Sequence, residues 1–194
     1  SESIWINTGA AISVNTTADL SPNGTLSGNE FNEGTLSSQR AIFEDLSVTA
    51  NQINTLSVFV KKGSSNLFRI VIAENGDALN WTALQVDLSD NSLTTGNGSN
   101  NTFTDISSSV SDINYNGYYR ITLTAKHATV TSLRVLFNMT QSAIVSSNSY
   151  GRADYVGTSK TVFVWGCQLE QNSYATSYIK TVGTAQTRVA DTAS

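Results

Sequence analysis

LSVFVKKGSSNLFRIVI, residues 56–72, decides the fold class. Leu56, Val58 and Val60 alternate with Ser57, Phe59 and Lys61, and the alternation resumes at Phe68, Ile70 and Ile72. Successive side chains of a strand point to opposite faces, so this period of two marks half-buried strands. The polar stretch between them, Lys62-Gly63-Ser64-Ser65, reads as a hairpin loop opening a meander. Moving outward, Leu84/Val86/Leu88, Tyr119/Ile121/Leu123, Leu133/Val135/Phe137 and Phe163/Trp165/Cys167/Leu169 repeat the pattern, which makes six core strands. Asn75-Gly76-Asp77, Asn97-Gly98 and Asn116-Gly117 punctuate them as turns, because asparagine tolerates the left-handed region and glycine has no Cβ to clash there.

The first 35 residues are less regular. Ile12 and Val14 suggest a short strand and Ser21-Pro22-Asn23-Gly24 a turn, so this part is expected to supply edge strands. Ser37–Leu46 (SSQRAIFEDL) is the one stretch that could form a helix of a turn or two, and Gly96–Asn101 (GNGSNN) reads as a mobile loop. The expectation is an all-β, antiparallel two-sheet β-sandwich of jelly-roll type over residues 1–180, with 181–194 a linker toward a further domain.

Composition narrows the function. Only 13% of the 194 residues are charged, the formal net charge is -4, and the 11 lysines and arginines are scattered, which argues against a nucleic-acid partner. No apolar run approaches the roughly 20 residues that span a bilayer, and SESIWINTGA lacks the regions of a signal peptide, so neither membrane insertion nor self-directed export is expected. The single cysteine, Cys167, forms no internal disulfide and reads as a small core residue. His127, the only histidine, has no nucleophile beside it in sequence and reads as a turn residue. No E-x-D-x-E run brings paired acids together for glycoside hydrolysis. The chain is therefore expected not to be an enzyme.

Its ending points further. WGCQLE (165–170), ATSYIKT (175–181) and TRVAD (187–191) resemble the WGAQLE, ATSYIPT and TR-x-AD segments that close a jelly-roll module of bacteriophage tail-fibre and tailspike-type proteins. Trp5 followed by Ser21-Pro22-Asn23-Gly24, the SVFVKKGS segment (57–64) and Gly117-Tyr118-Tyr119-Arg120 occupy comparable places, so the resemblance covers nearly the whole chain. Lys180 stands where the proline is usual and Cys167 where alanine is usual. The resemblance implies a fold shared with carbohydrate-binding modules and a place in the virion tail, in contact with a host surface.

Saccharide recognition needs a flat aromatic against the apolar face of a sugar ring and polar groups for its hydroxyls. With Tyr119, Ile121 and Leu123 inward, alternation turns Tyr118 and Arg120 outward; the same parity exposes Phe59, Trp81, Gln85 and Gln168, and it places Trp165 in the core. Trp81, Tyr118 and Arg120 are the leading candidates for binding a poly- or oligosaccharide, joined by Phe59, Arg69, Gln85 and Gln168. No cofactor is expected, although Asn29-Glu30-Phe31-Asn32-Glu33 with Glu170 could hold a structural calcium. The alternative is a structural spacer or homo-oligomerising module of a tail fibre whose exposed aromatics meet protein instead of sugar.

Overall fold

The computed structural model of the chain describes residues 6–8, 11–13, 19–111, 114–152 and 154–180. Its strands are β1 (Ile6–Thr8), β2 (Ala11–Ser13), β3 (Asn29–Asn32), β4 (Ser37–Gln39), β5 (Ala41–Ser47), β6 (Ile53–Lys62) and β7 (Leu67–Glu74). They continue as β8 (Trp81–Asp87), β9 (Ser92–Asn97), β10 (Thr104–Val110), β11 (Tyr118–Lys126), β12 (Ser132–Met139), β13 (Asp154–Val156) and β14 (Thr161–Glu170). Sheet I has the order β1-β5-β12-β7-β8-β9, sheet II the order β10-β11-β6-β14-β3-β2, and β13 pairs with β4 in a small ribbon. The protein is an antiparallel two-sheet β-sandwich.

The core between the sheets is built from the alternation seen in the sequence. Ile70, Ile72, Leu84, Val86, Leu133, Val135 and Phe137 face inward from sheet I and meet Leu56, Val58, Val60, Ile121, Leu123 and Val162 from sheet II. Phe68 lies at its centre, stacked on Phe137 with ring centroids 6.1 Å apart and edge-on to Phe31 at 6.2 Å. Asn116-Gly117 forms the expected tight turn: both residues have positive φ, 55° and 87°, and Tyr115 and Tyr118 exchange two backbone hydrogen bonds of 2.9 Å.

Four expectations need correction. β6 and β7 do not form a hairpin: they lie in different sheets, and the intervening polar loop crosses from one layer to the other. A polar Gly-Ser loop serves either connection, so the alternation on its two sides does not say which sheet follows. Ser37–Leu46 is β4 and β5, not a helix, because Ala41–Ser47 finds partners on both sides in β1 and β12. Gly96–Asn101 is not a free loop: Gly96 and Asn97 end β9, and Gly98 and Asn100 donate from their backbone nitrogens to Trp81 O (2.9 Å) and Leu79 O (3.0 Å). Finally, a β-bulge between Trp165 and Gln168, with Gly166 at φ 62°, reverses the parity of β14. Val162 and Val164 therefore enter the core, Cys167 and Leu169 pack on it beyond the bulge, and Trp165 faces outward.

β9 and β10, rich in Ser, Thr and Gly, carry too little apolar alternation to be seen in the sequence. Trp5, Val14, the 181–194 linker and the TRVAD segment lie outside the described residues.

Candidate functional site

On the outer face of sheet I the parity expected for Trp81, Arg69 and Gln85 holds, but their exposure does not. Residues 141–152 cross this face as an irregular cover. Trp81 is 0% exposed, and its Nε1 donates to Asn148 O at 3.0 Å. Gly151, at φ 66°, lets the backbone lie on the indole: a Cβ there would sit 3.3 Å from Trp81 Cε3. Arg69 is fully buried. Its Nε and Nη2 donate to Gln85 Oε1 at 3.1 and 2.6 Å, Nη2 also reaches Ser142 O at 3.1 Å, and Nη1 donates to Gly151 O. Burial lowers its guanidinium to about 10, with the Tyr155 phenol opposing that shift. Trp81, Arg69 and Gln85 hold the cover in place and present no face to a ligand.

Tyr118 and Phe59, on the outer face of sheet II, are also buried. The Tyr118 hydroxyl donates to Asp19, which also pairs with Lys61, so the segment around 19–28 is clamped over the ring. Burial, reinforced by the Asp19 carboxylate, raises this phenol. Phe59 packs edge-on against Tyr115 (6.0 Å) and Trp165 (5.5 Å), with the Arg120 guanidinium 5.3 Å from its ring centroid.

The residues that carry the resemblance at the end of the chain turn out to dock the chain on itself. Trp165 lies 4.4 Å from Tyr178 between ring centroids, and the bulge glycine Gly166 leaves room for Tyr178, whose Cδ2 would be 3.2 Å from a Cβ. Gln168 Oε1 accepts from Ile179 N at 2.9 Å, and its Nε2 is buried with no hydrogen-bond partner among the described residues. Glu170 accepts from Thr176 N (3.0 Å) and Thr176 Oγ1 (2.5 Å), and Thr55 Oγ1 donates to Asn172 O at 2.7 Å. Arg120 completes the set, donating from Nη1 to Thr176 O (2.5 Å) and from Nη2 to Ser57 Oγ (2.8 Å). Residues 171–180 thus form a strap across sheet II.

The strap leaves a groove beside it. The groove has a volume of about 350 Å³, with Ser107, Ser109, Arg120, Thr122 and Thr124 on its floor and Tyr174 of the strap at its wall. Tyr174 is 63% exposed. Ser109 Oγ and Thr122 Oγ1 lie 2.7 Å apart across the β10–β11 pair, so the floor is a ladder of hydroxyls. Arg120 is the one residue of the sequence-based candidate set that lines it. Tyr174 and β10 were missed; Ser107-Ser108-Ser109 flanked by Ile106 and Val110 is the only sequence signal for a strand there.

Of the residues considered for calcium, Glu30 and Glu170 lie far apart. Glu30 lies opposite Phe163 near the start of β14 and Glu170 at its end, roughly 20 Å away at about 3.3 Å per residue. Glu33 is committed elsewhere: it accepts from Thr158 N (2.7 Å), Thr158 Oγ1 (3.0 Å) and the Tyr155 hydroxyl (2.8 Å). Among the described residues no group of three or more His, Cys, Asp or Glu is placed to hold a metal ion. His127 follows β11, where Nδ1 accepts from Val130 N (3.1 Å) and Nε2 lies 2.7 Å from Thr102 Oγ1. No protein-family model and no curated protein matches the chain.

Proposed function

We propose that this chain is a non-catalytic saccharide-binding module, acting at a host surface as part of a phage tail protein, as its ending suggests, and that the β10–β11 groove is its binding surface. The observation that carries this reading is Tyr174, an exposed aromatic standing beside a floor of serine and threonine hydroxyls with one guanidinium. A ring offers its face to the apolar side of a sugar while hydroxyls and an arginine satisfy the sugar's own hydroxyls. At about 350 Å³ the groove is at the small end of ligand sites, which run from roughly 300 to 1,000 Å³. It suits a short stretch of a glycan chain.

A glycan array probed with the purified chain and with Tyr174→Ala tests this. Selective binding by the parent and at least about tenfold weaker binding by the variant is the expected result. Binding that survives Tyr174→Ala would move the site elsewhere.

The spacer reading is favoured by one separate feature. Leu36 and Val156 are 71% and 63% exposed at the same end of the β4–β13 ribbon, where Val156 pairs with Ser37 and Gly157 N donates to Leu36 O. If that pair is an assembly contact, the chain sediments as an oligomer and Leu36→Glu returns it to a monomer. A monomeric parent removes the support this pair gives to a spacer.

A further inference from the structure

We infer that the saccharide this groove takes is an acidic one, with a sugar carboxylate seated against Arg120. This rests on the saccharide-binding reading above and names its ligand class.

Among the described residues Arg120 is the only charged side chain lining the groove, and no carboxylate among them lines it. The described ion pairs give two other cations a partner: Lys61 has Asp19 and Arg134 has Asp45. Among the described residues the guanidinium of Arg120 donates to neutral acceptors, the Thr176 carbonyl and the Ser57 hydroxyl, and its buried Nε has no hydrogen-bond partner. Glu170 attracts the guanidinium through space but has both oxygens committed to Thr176. A half-buried guanidinium whose hydrogen-bond partners are neutral is a strong place for a planar carboxylate, since the fork geometry of the two groups matches.

The surroundings extend the argument. Arg120, Thr122, Thr124 and Lys126 share the outer side of β11, with Ser109 and Ser107 opposite Thr122 and Thr124 on β10. A cation therefore stands at each end of a run of hydroxyls, roughly 20 Å apart at about 3.3 Å per residue. Asp105 stands beside the Lys126 end, one residue from Thr104, which pairs with Lys126. Arg120 is thus the residue that discriminates charge. This strip is a local exception in a chain of formal net charge -4, so the attraction is short-ranged and depends on seating the ligand in the groove.

The test uses a panel of uronic- and sialic-acid-containing oligosaccharides, each beside its own carboxyl-reduced counterpart, titrated against the full chain. The expected result is that the tightest ligand is acidic, that reduction of its carboxyl weakens binding about tenfold or more, and that raising salt from low to about 0.5 M narrows the difference. Arg120→Gln should lose the preference for the acid. Because Arg120 also holds the strap, Gln168→Leu serves as a control: it removes the bond from Ile179 N without changing charge or touching the groove floor, and it should keep the preference. Equal binding of an acid and its reduced form, or a preference for neutral glycans, overturns the inference and leaves the saccharide reading standing. Failure of every glycan to bind overturns both.

Discussion

On sheet I the outer face carries Val71, Ala73, Trp81, Ala83 and Leu136 beneath residues 141–152, and these side chains form a second apolar cluster. On sheet II the outer face is a mixture of Phe59, Trp165, hydroxyls and Arg120, and residues 171–180 lie over only part of it. In both cases an arginine rising from the sheet binds carbonyl oxygens of the covering segment: Arg69 takes Ser142 O and Gly151 O, Arg120 takes Thr176 O. Irregular backbone laid on a sheet must find donors for its carbonyls, and a buried guanidinium supplies several at once. The difference lies in what surrounds the pin. On the first face Arg69 and its polar neighbours Gln85 and Asn138 are flanked by the apolar cluster around Trp81, which seats the cover, whereas polar neighbours on the second let the strap dock group by group and leave an open groove beside it.

The largest break in this comparison is expected at Trp81. Trp81→Ala should cost about 3–5 kcal/mol in urea unfolding, since it empties the centre of the sheet I cluster. The protein that remains folded should bind glycan as the parent does. Loss of binding at unchanged stability would mean that the cover opens and that the site lies beneath it.

Arg69→Met should cost about 3 kcal/mol, because Gln85 Oε1, Ser142 O and Gly151 O are left buried without that donor. A cost under about 1 kcal/mol would show that the cover is held by its apolar contacts alone.

Gly166→Ala sharpens the other side. The residue sits at φ 62°, where a Cβ would also crowd Tyr178 and Phe59 at 3.2 and 3.3 Å, so a loss of about 2 kcal/mol is expected. Amide exchange should show that loss first in residues 171–180. Uniform exchange across the sandwich would mean that strap and sheet unfold together.

Away from both faces, Glu33 links the β3 edge to residues 155–160. Burial raises its carboxyl, but hydrogen bonds from Thr158 N, the Tyr155 hydroxyl, Thr158 Oγ1 and Lys160 N outweigh it, leaving the carboxyl below its ordinary 4.5. A depressed native value stabilises the fold above the unfolded-state pKa, and the contribution is lost as pH falls through the native one. Melting temperature should therefore drop below about pH 4.5, and Glu33→Gln should flatten that part of the profile.

The smallest effect is expected at Asn138. It lies beside Arg69 in register on sheet I, is buried, and neither of its amide atoms has a partner among the described residues. Asn138→Leu should be neutral or stabilise by up to about 1 kcal/mol. A clear destabilisation would reveal a partner for the amide and make the two faces more alike.

Which of these features could be read from the chain depends on their range. Tyr119, Ile121 and Leu123 announced the inner side of β11, and with it the outward direction of Tyr118 and Arg120, because that depends only on a period of two. The burial of Tyr118 depends on Asp19, 99 residues earlier, and that of Trp81 on Asn148, 67 residues later. Nothing in the local pattern encodes either. Trp165 was misplaced for a different reason: a single glycine in αL inserts one residue and flips the strand, and Gly166 within an otherwise regular strand was the available sign. Tyr174 lies in a polar segment with no periodicity, so its exposure beside the β10–β11 floor could not be inferred.

By itself, then, the sequence determined the all-β class, the inner side of most core strands and the Asn116-Gly117 turn, all of which follow from alternation and local backbone preference acting over a few residues. Tertiary structure decided that β6 and β7 part into different sheets, that two irregular segments cover the outer faces, and that the open groove lies against Tyr174 and Arg120 instead of Trp81 and Tyr118. Those outcomes depend on which distant backbone carbonyls and apolar surfaces find partners once the sheets have packed, and that is a property of the whole assembly of strands.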